Sequence, residues 1–140
     1  MKKILFLAGF CLLIFYACFV DTSLPNVNGM WQLKTVQSGD GCVQTIDSVY
    51  YSFQRQTIFA YTLLFKDNDN IDKAHVLYGY AYFPEEGKMN IQLDKIYSEY
   101  QFDRLPWINM DVHFDIVKLN SKEMILFSES ERKTYNFIKF

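Results

Sequence analysis

Across residues 29–140 apolar and polar side chains alternate with a period of two in eight separate stretches, and this alternation limits the possible folds more than any other feature. A period of two puts successive side chains on opposite faces of an extended chain, so each stretch reads as a strand. The clearest is residues 88–94, where Met89, Ile91 and Leu93 alternate with Lys88, Asn90, Gln92 and Asp94. Residues 30–36 put Trp31, Leu33 and Thr35 on one side, and Val49, Tyr51 and Phe53 alternate with Ser48, Tyr50, Ser52 and Gln54. Residues 57–65 and 76–83 are apolar on both sides. In the first, Phe59, Tyr61, Leu63 and Phe65 oppose Ile58, Ala60, Thr62 and Leu64; in the second, Val76, Tyr78, Tyr80 and Tyr82 oppose Leu77, Gly79, Ala81 and Phe83. Strands of this kind are expected to be covered on both faces or to turn one face to a cavity. Val112, Phe114 and Ile116, then residues 124–127 and 133–140, complete the set.

Short turns join nearly all of these strands, among them Pro84-Glu85-Glu86-Gly87 and Asn120-Ser121. Residues 95–110 are the exception: Tyr97, Tyr100 and Leu105 fall at loosely helical spacing before Pro106, which predicts a short helix or a loop covering one end of the fold. Antiparallel strands in chain order leave two open edges unless the first pairs with the last. The expectation is therefore an all-β domain, an eight-stranded antiparallel up-and-down barrel, in preference to a sandwich. A barrel of that size is just wide enough to be filled by side chains or to hold one small ligand.

Composition agrees. Thirteen Phe, ten Tyr and two Trp against six Gly and three Pro exclude disorder and collagen, and favour strands. A formal charge of -2, with scattered Lys and Arg, gives a phosphate backbone no reason to bind, so no nucleic-acid partner is expected.

The N-terminus reads as a targeting segment. Lys2 and Lys3 precede an apolar run over residues 4–16, followed by Ala17-Cys18, the layout of a secretory signal peptide. Phe15-Tyr16-Ala17-Cys18 resembles the lipobox of bacterial lipoproteins: Ala17 and Cys18 match, whereas Phe15 stands for the usual Leu and Tyr16 for a small residue. The resemblance implies cleavage before Cys18 and acylation of that residue, and two or three acyl chains anchor a protein stably. The alternatives are an uncleaved apolar anchor over residues 4–20 or free secretion. The domain plan is then signal peptide 1–17, tether 18–28 and barrel 29–140, in an exported protein held on a membrane of the bacterial cell envelope, the outer membrane being the expected one. Cys11 would leave with the signal and Cys18 would be acylated. Only Cys42 remains in the folded part, beside Gly41 in a loop-like stretch, with no intrachain disulfide available.

Gly29-Met30-Trp31, opening the first strand, is similar to the Gly-x-Trp signature of the lipocalin superfamily, in which the Trp closes the barrel floor. Tyr50-Tyr51-Ser52-Phe53-Gln54, the hairpin over residues 119–126 and the ending Phe137-Ile138-Lys139-Phe140 resemble the small lipocalin-like domains of bacterial surface lipoproteins. The resemblance covers residues 28–140 and implies that Gly29 and Trp31 close the barrel. No residue matches the Arg that stacks on the signature Trp, which leaves Arg132 and Lys139 as candidates, and the helix that follows the lipocalin barrel has no counterpart before Phe140.

Chemistry-bearing residues are sparse. Asp67, Asn68, Asp69, Asn70 and Asp72 open like a calcium loop, but Ile71 takes a ligand position, Asp72 replaces the required Gly and Tyr78 stands where the bidentate Glu belongs, so a polar hairpin loop is the reading. His75 and His113 offer metal ligands or a general base, but His113 alternates with Asp111 and Asp115 on a polar face, so a solvated strand face is the reading. None of the hydrolase, zinc-protease, phosphate-loop or dinucleotide signatures is present, so no catalytic residue, cofactor or metal is expected. The aromatic stripe Tyr78, Tyr80 and Tyr82, with Tyr51, Phe53, Phe59 and Tyr61, is the feature that points to binding, as candidate lining of an inward cavity. Its alternative is a core that uses rings as filler; buried Tyr hydroxyls need partners, which several inward tyrosines would find in a partly hydrated cavity. Two functions follow: a non-catalytic, membrane-anchored barrel for a small apolar or amphipathic ligand, or an envelope interaction module with a filled barrel. An internal void of ~300 Å³ or more separates them.

Overall fold

A computed structural model of the chain describes residues 26–99 and 105–140. The signal, Cys18 and the first residues of the tether lie outside the described residues, as do residues 100–104 of the long connection. Nine strands follow one another: β1 (Gly29–Ser38), β2 (Val43–Thr45), β3 (Val49–Gln54), β4 (Ile58–Lys66), β5 (Asp72–Tyr82), β6 (Lys88–Leu93), β7 (Asp111–Leu119), β8 (Glu123–Ser128) and β9 (Lys133–Lys139). Among the described residues a single 3-10 turn, Lys95–Tyr97, follows β6, with the Asp94 carboxylate capping the Ile96 amide.

All strand pairs are antiparallel, and β1 pairs with β9, so β1 and β3 to β9 close an eight-stranded barrel as the alternation predicts. The ninth strand is short. The chain after β1 turns through Gly41 and Cys42, and Val43–Thr45 pairs back on the upper half of β1, while β3 takes the lower half of the same edge. Cys42 is exposed and unpaired in that turn.

Two bulges decide which side chains face inward. In β1 the register shifts between Leu33 and Thr35, so Trp31, Leu33 and Val36 are buried and Thr35 is not, a correction to the uniform alternation read over residues 30–36. An extra residue in one strand resets the side-chain parity. The same device between Ile116 and Lys118 leaves Val117 outside and packs Leu119 against the core. Packing also begins upstream of the expected boundary at Gly29: Val27 is fully buried, and its carbonyl accepts the Trp31 indole N–H at 2.7 Å.

A larger correction concerns β5. Tyr78, Tyr80 and Tyr82, expected inside, face solvent at 57%, 59% and 43% exposure, while Leu77, Gly79 and Ala81 point inward. Register is the cause. Gly79 pairs with Leu93 and Ala81 with Ile91, so the clean alternation of β6 carries the small residues of β5 inward with it, and Tyr80 and Tyr82 pair with outward Gln92 and Asn90. Gly79 is required there, because any Cβ would run into the Gln92 carbonyl oxygen of the adjoining strand. Nor is the second apolar face of β4 and β5 covered: Ile58, Leu64 and Val76 are exposed on the same outer side as the three tyrosines.

Candidate functional site

The two ends of the barrel are closed by different means. At the end where the chain enters, Trp31 lies against β3 and β9, paired with Tyr51 and Lys139, and is 1% exposed. Lys139 places its ammonium 4.2 Å from the Trp31 ring centroid and donates to the Asn28 carbonyl. Lys139 thus takes the position over the indole that was open between it and Arg132. Gly29, at φ +114, makes room for the arm, since a Cβ there would collide with the Lys139 ammonium. Partial burial pushes the Lys139 ammonium below its usual range. This floor is built from residues of β1, β3 and β9.

At the opposite end the inward rings of Tyr51 on β3, Tyr61 on β4 and Tyr135 on β9 bring their hydroxyls toward the mouth. Residues 105–110 lie over this end, with Leu105 and Ile108 buried in the core and Trp107 packed edge-on against Tyr135 at 6.1 Å. Tyr61 donates to the Pro106 carbonyl at 2.8 Å, and Tyr51 donates to the Trp107 carbonyl. Tyr135 donates to the Glu131 carboxylate, and Lys133 sits 4.0 Å from that carboxylate and 5.2 Å from the Trp107 ring centroid. Burial is the first cause that drives all three phenols above their ordinary range; the Glu131 charge adds for Tyr51 and Tyr135, and for Tyr135 the hydrogen bond to it adds more. They are neutral donors at physiological pH. Trp107 takes φ +68, a left-handed conformation costing a side-chain-bearing residue ~1–2 kcal/mol, and the hydroxyls of Tyr51 and Tyr61 hold the segment in it.

Four of the seven candidate lining residues are therefore inside: Tyr51, Phe53, Phe59 and Tyr61, packed ring against ring at centroid separations of 5.1 Å for Tyr51 and Phe59 and 5.3 Å for Phe53 and Phe59. The other three, Tyr78, Tyr80 and Tyr82, form an exposed row on the outer face. The described clefts, of about 480, 370 and 270 Å³, open to solvent, and none is lined by the four inward rings. The smallest lies over the mouth, bordered by Leu105, Trp107, Asn109, Glu131 and Lys133. The sequence reading did not single out Tyr135, Glu131 or Trp107 for the mouth. The turn that brings Glu131 to Tyr135 contains Arg132 at φ +52, a geometry that no sequence motif announces.

Elsewhere, Asp67 is committed to its own turn. It accepts from the amides of Asp69 and Ile71 at 2.9 and 3.0 Å and pairs with Lys73 at 2.5 Å, which holds its carboxyl below the usual range. His113 stands exposed on β7, 3.6 Å from Asp111. Among the described residues no group of three or more His, Cys, Asp or Glu could hold a metal ion.

A closed eight-stranded meander with a Gly-x-Trp floor, a cation over that Trp and a mouth covered by a loop defines a small lipocalin-type barrel. The chain belongs to the lipocalin-like domain family, whose model matches residues 12–140. It is similar to the crystal structure of a lipocalin-like protein from Bacteroides uniformis, at 26% identity and TM-score 0.63 over 81% of this chain and 98% of that one. An uncharacterized Bacteroides eggerthii protein matches at 24% identity and TM-score 0.65 over the same shares, 81% and 98%. Japanin from Rhipicephalus appendiculatus, solved bound to cholesterol, shares the fold at 12% identity and TM-score 0.56, over 84% of this chain and 78% of that one. No curated protein matches the sequence.

Proposed function

We propose that the protein is an exported, lipid-anchored component of the bacterial cell envelope that takes up a small apolar or amphipathic molecule at the mouth of its barrel and catalyses no reaction. One observation carries the binding reading: the buried hydroxyls of Tyr51 and Tyr61 find their acceptors on a loop, at Pro106 and Trp107, and not on the strands of the barrel. Leu105 and Ile108 of that loop complete the core from outside the sheet. A ligand that brings apolar volume and acceptor oxygens replaces these contacts without leaving a buried donor unpaired. Barrel mouths are preferred ligand sites, and the cholesterol of Japanin supports an apolar body as a first choice to test.

The test is titration of the exported chain carrying Cys18→Ser with the neutral apolar fluorophore N-phenyl-1-naphthylamine. Saturable one-site binding, with a change in tryptophan emission as Trp107 is displaced, is the expected result. A folded protein that binds no probe refutes it. Anchoring is tested by the same substitution in cells: Cys18→Ser should release the protein from the membrane fraction and abolish acyl labelling, whereas unchanged retention would assign the hold to the apolar segment. A second reading, an envelope interaction module, is favoured by the uncharged outer row of Ile58, Val76, Tyr78, Tyr80 and Tyr82. It takes over if the barrel binds no probe.

A further inference from the structure

We infer that the molecule taken up at the mouth carries an uncharged polar head with two neighbouring acceptor oxygens, as in an acylglycerol, and that free carboxylates are discriminated against. The inference rests on the mouth-binding reading above and names its ligand class.

What the loop presents to the barrel is the template. Pro106 and Trp107 are consecutive, so the oxygens accepting from Tyr61 and Tyr51 belong to adjacent peptide groups whose Cα atoms stand about 3.8 Å apart. Both acceptors are neutral, and both donors are phenols held un-ionised by burial. A head that replaces the loop must offer two neighbouring acceptors, since each phenol left unpaired would lose a buried hydrogen bond. An ester with an adjacent hydroxyl supplies them; a single alcohol does not.

Charge decides between an ester and an acid. The third phenol, Tyr135, is committed to Glu131, which fixes a carboxylate at the same rim, where it borders the cleft over the mouth. The described cations of this rim are already engaged. Lys133 lies between Glu131 and the Trp107 ring, and the Arg132 side chain runs past Gly39, with its Nε 3.7 Å from where a Cβ would stand. A second carboxylate entering the mouth would therefore meet the like charge of Glu131.

The experiment is calorimetric titration of the exported Cys18→Ser chain with monolaurin, laurate and dodecanol at pH 8, each below its aggregation concentration. Monolaurin should bind about ten-fold or more tightly than laurate, with dodecanol weaker than monolaurin. In Glu131→Gln, where the amide oxygen still accepts from Tyr135, the gap between ester and acid should close through gain of laurate affinity, and the thermal transition confirms the fold. Laurate binding as tightly as monolaurin in the parent, or a gap that Glu131→Gln leaves unchanged, overturns the inference while leaving the mouth as a binding site. Failure of all three amphiphiles and of N-phenyl-1-naphthylamine overturns both readings together.

Discussion

Replacing Trp31 by Ala tests whether the floor of the barrel is the structural keystone that its environment implies. The side chain is 1% exposed, so its truncation removes nearly all of the area an indole buries, about 150–250 Å². At ~25 cal/mol per Å² that is about 4–6 kcal/mol before allowance for a compact unfolded chain and for the methyl that Ala retains. Two specific losses add to it. The buried Val27 carbonyl gives up its 2.7 Å hydrogen bond, a net ~1 kcal/mol, and Lys139 loses the ring beneath its ammonium, ~0.5–2 kcal/mol. Measured aromatic-to-Ala truncations cost ~3–5 kcal/mol because surroundings relax, and the extra contacts place Trp31→Ala toward the top of that range. For a domain of ~5–15 kcal/mol total stability with no disulfide among the described residues, the urea midpoint read by far-ultraviolet circular dichroism should fall by a third or more, or the transition should vanish. Trp31→Phe separates the contributions: it keeps a ring under Lys139, loses the N–H, and should cost about 1–2 kcal/mol. A loss below ~1 kcal/mol for Trp31→Ala would refute the reasoning, because no buried indole with these contacts is that dispensable.

Gly79→Ala would usually help a strand by ~0.5–1 kcal/mol, yet here the added methyl meets the Gln92 carbonyl, so a loss of ~1–3 kcal/mol in urea denaturation is expected and a gain would show that β5 and β6 can separate freely. Tyr80→Ser on the outer face should change stability by no more than ~0.5 kcal/mol in the same assay; a loss above ~2 kcal/mol would mean that the face is covered. The Asp67 carboxyl is depressed by Lys73 first, then by the Ile71 amide, so its contribution is present above the ordinary carboxylate range and is lost as pH falls through the depressed value. The amides of Asp69 and Ile71, which donate to it, should lose hydrogen-exchange protection only as pH falls below the ordinary carboxylate range, while those of β1 and β9 keep theirs; uniform behaviour would contradict this.

Strand positions and barrel closure were legible from the alternation and the meander, and the roles of Gly29 and Trp31 from the resemblance of Gly29-Met30-Trp31 to the lipocalin signature. Alternation marks a strand, and a meander with no spare edge closes. The face of β5 was not legible from its own residues, since Tyr-x-Tyr-x-Tyr and Leu-x-Gly-x-Ala are both acceptable inward sets. Its register with β6 made the choice, and the collision that a Cβ at Gly79 would suffer is a property of two strands at once. Bulges escaped for a similar reason: nothing in Leu33-Lys34-Thr35 announces that Lys34 is the residue left without a partner on β9. The cover over the mouth was legible as a short helix or loop over residues 95–110. That its carbonyls serve two phenols was not, because the backbone is chemically the same at every position.

The unequal construction of the two ends separates stability from function. The floor joins Trp31, Lys139 and Val27 through the sheet and the chain that leads into it, so a ligand could enter there only by breaking barrel closure. At the mouth the cover is residues 105–110, held by two phenol hydrogen bonds, by the side chains of Leu105, Ile108 and Met110, by the Trp107 ring on Tyr135 and by the Leu93 amide on the Met110 carbonyl, with one residue in a left-handed conformation that favours release. Net hydrogen-bond values of ~0.5–1.5 kcal/mol make displacement of such a segment far cheaper than unfolding. Substitutions at the mouth should therefore alter probe affinity with little change in melting temperature, and substitutions at the floor should do the reverse. Tyr61→Phe and Trp31→Phe, measured side by side, form the pair that decides it. If both move stability alone, the cover is an integral part of the core and the outer tyrosine row becomes the surface to pursue.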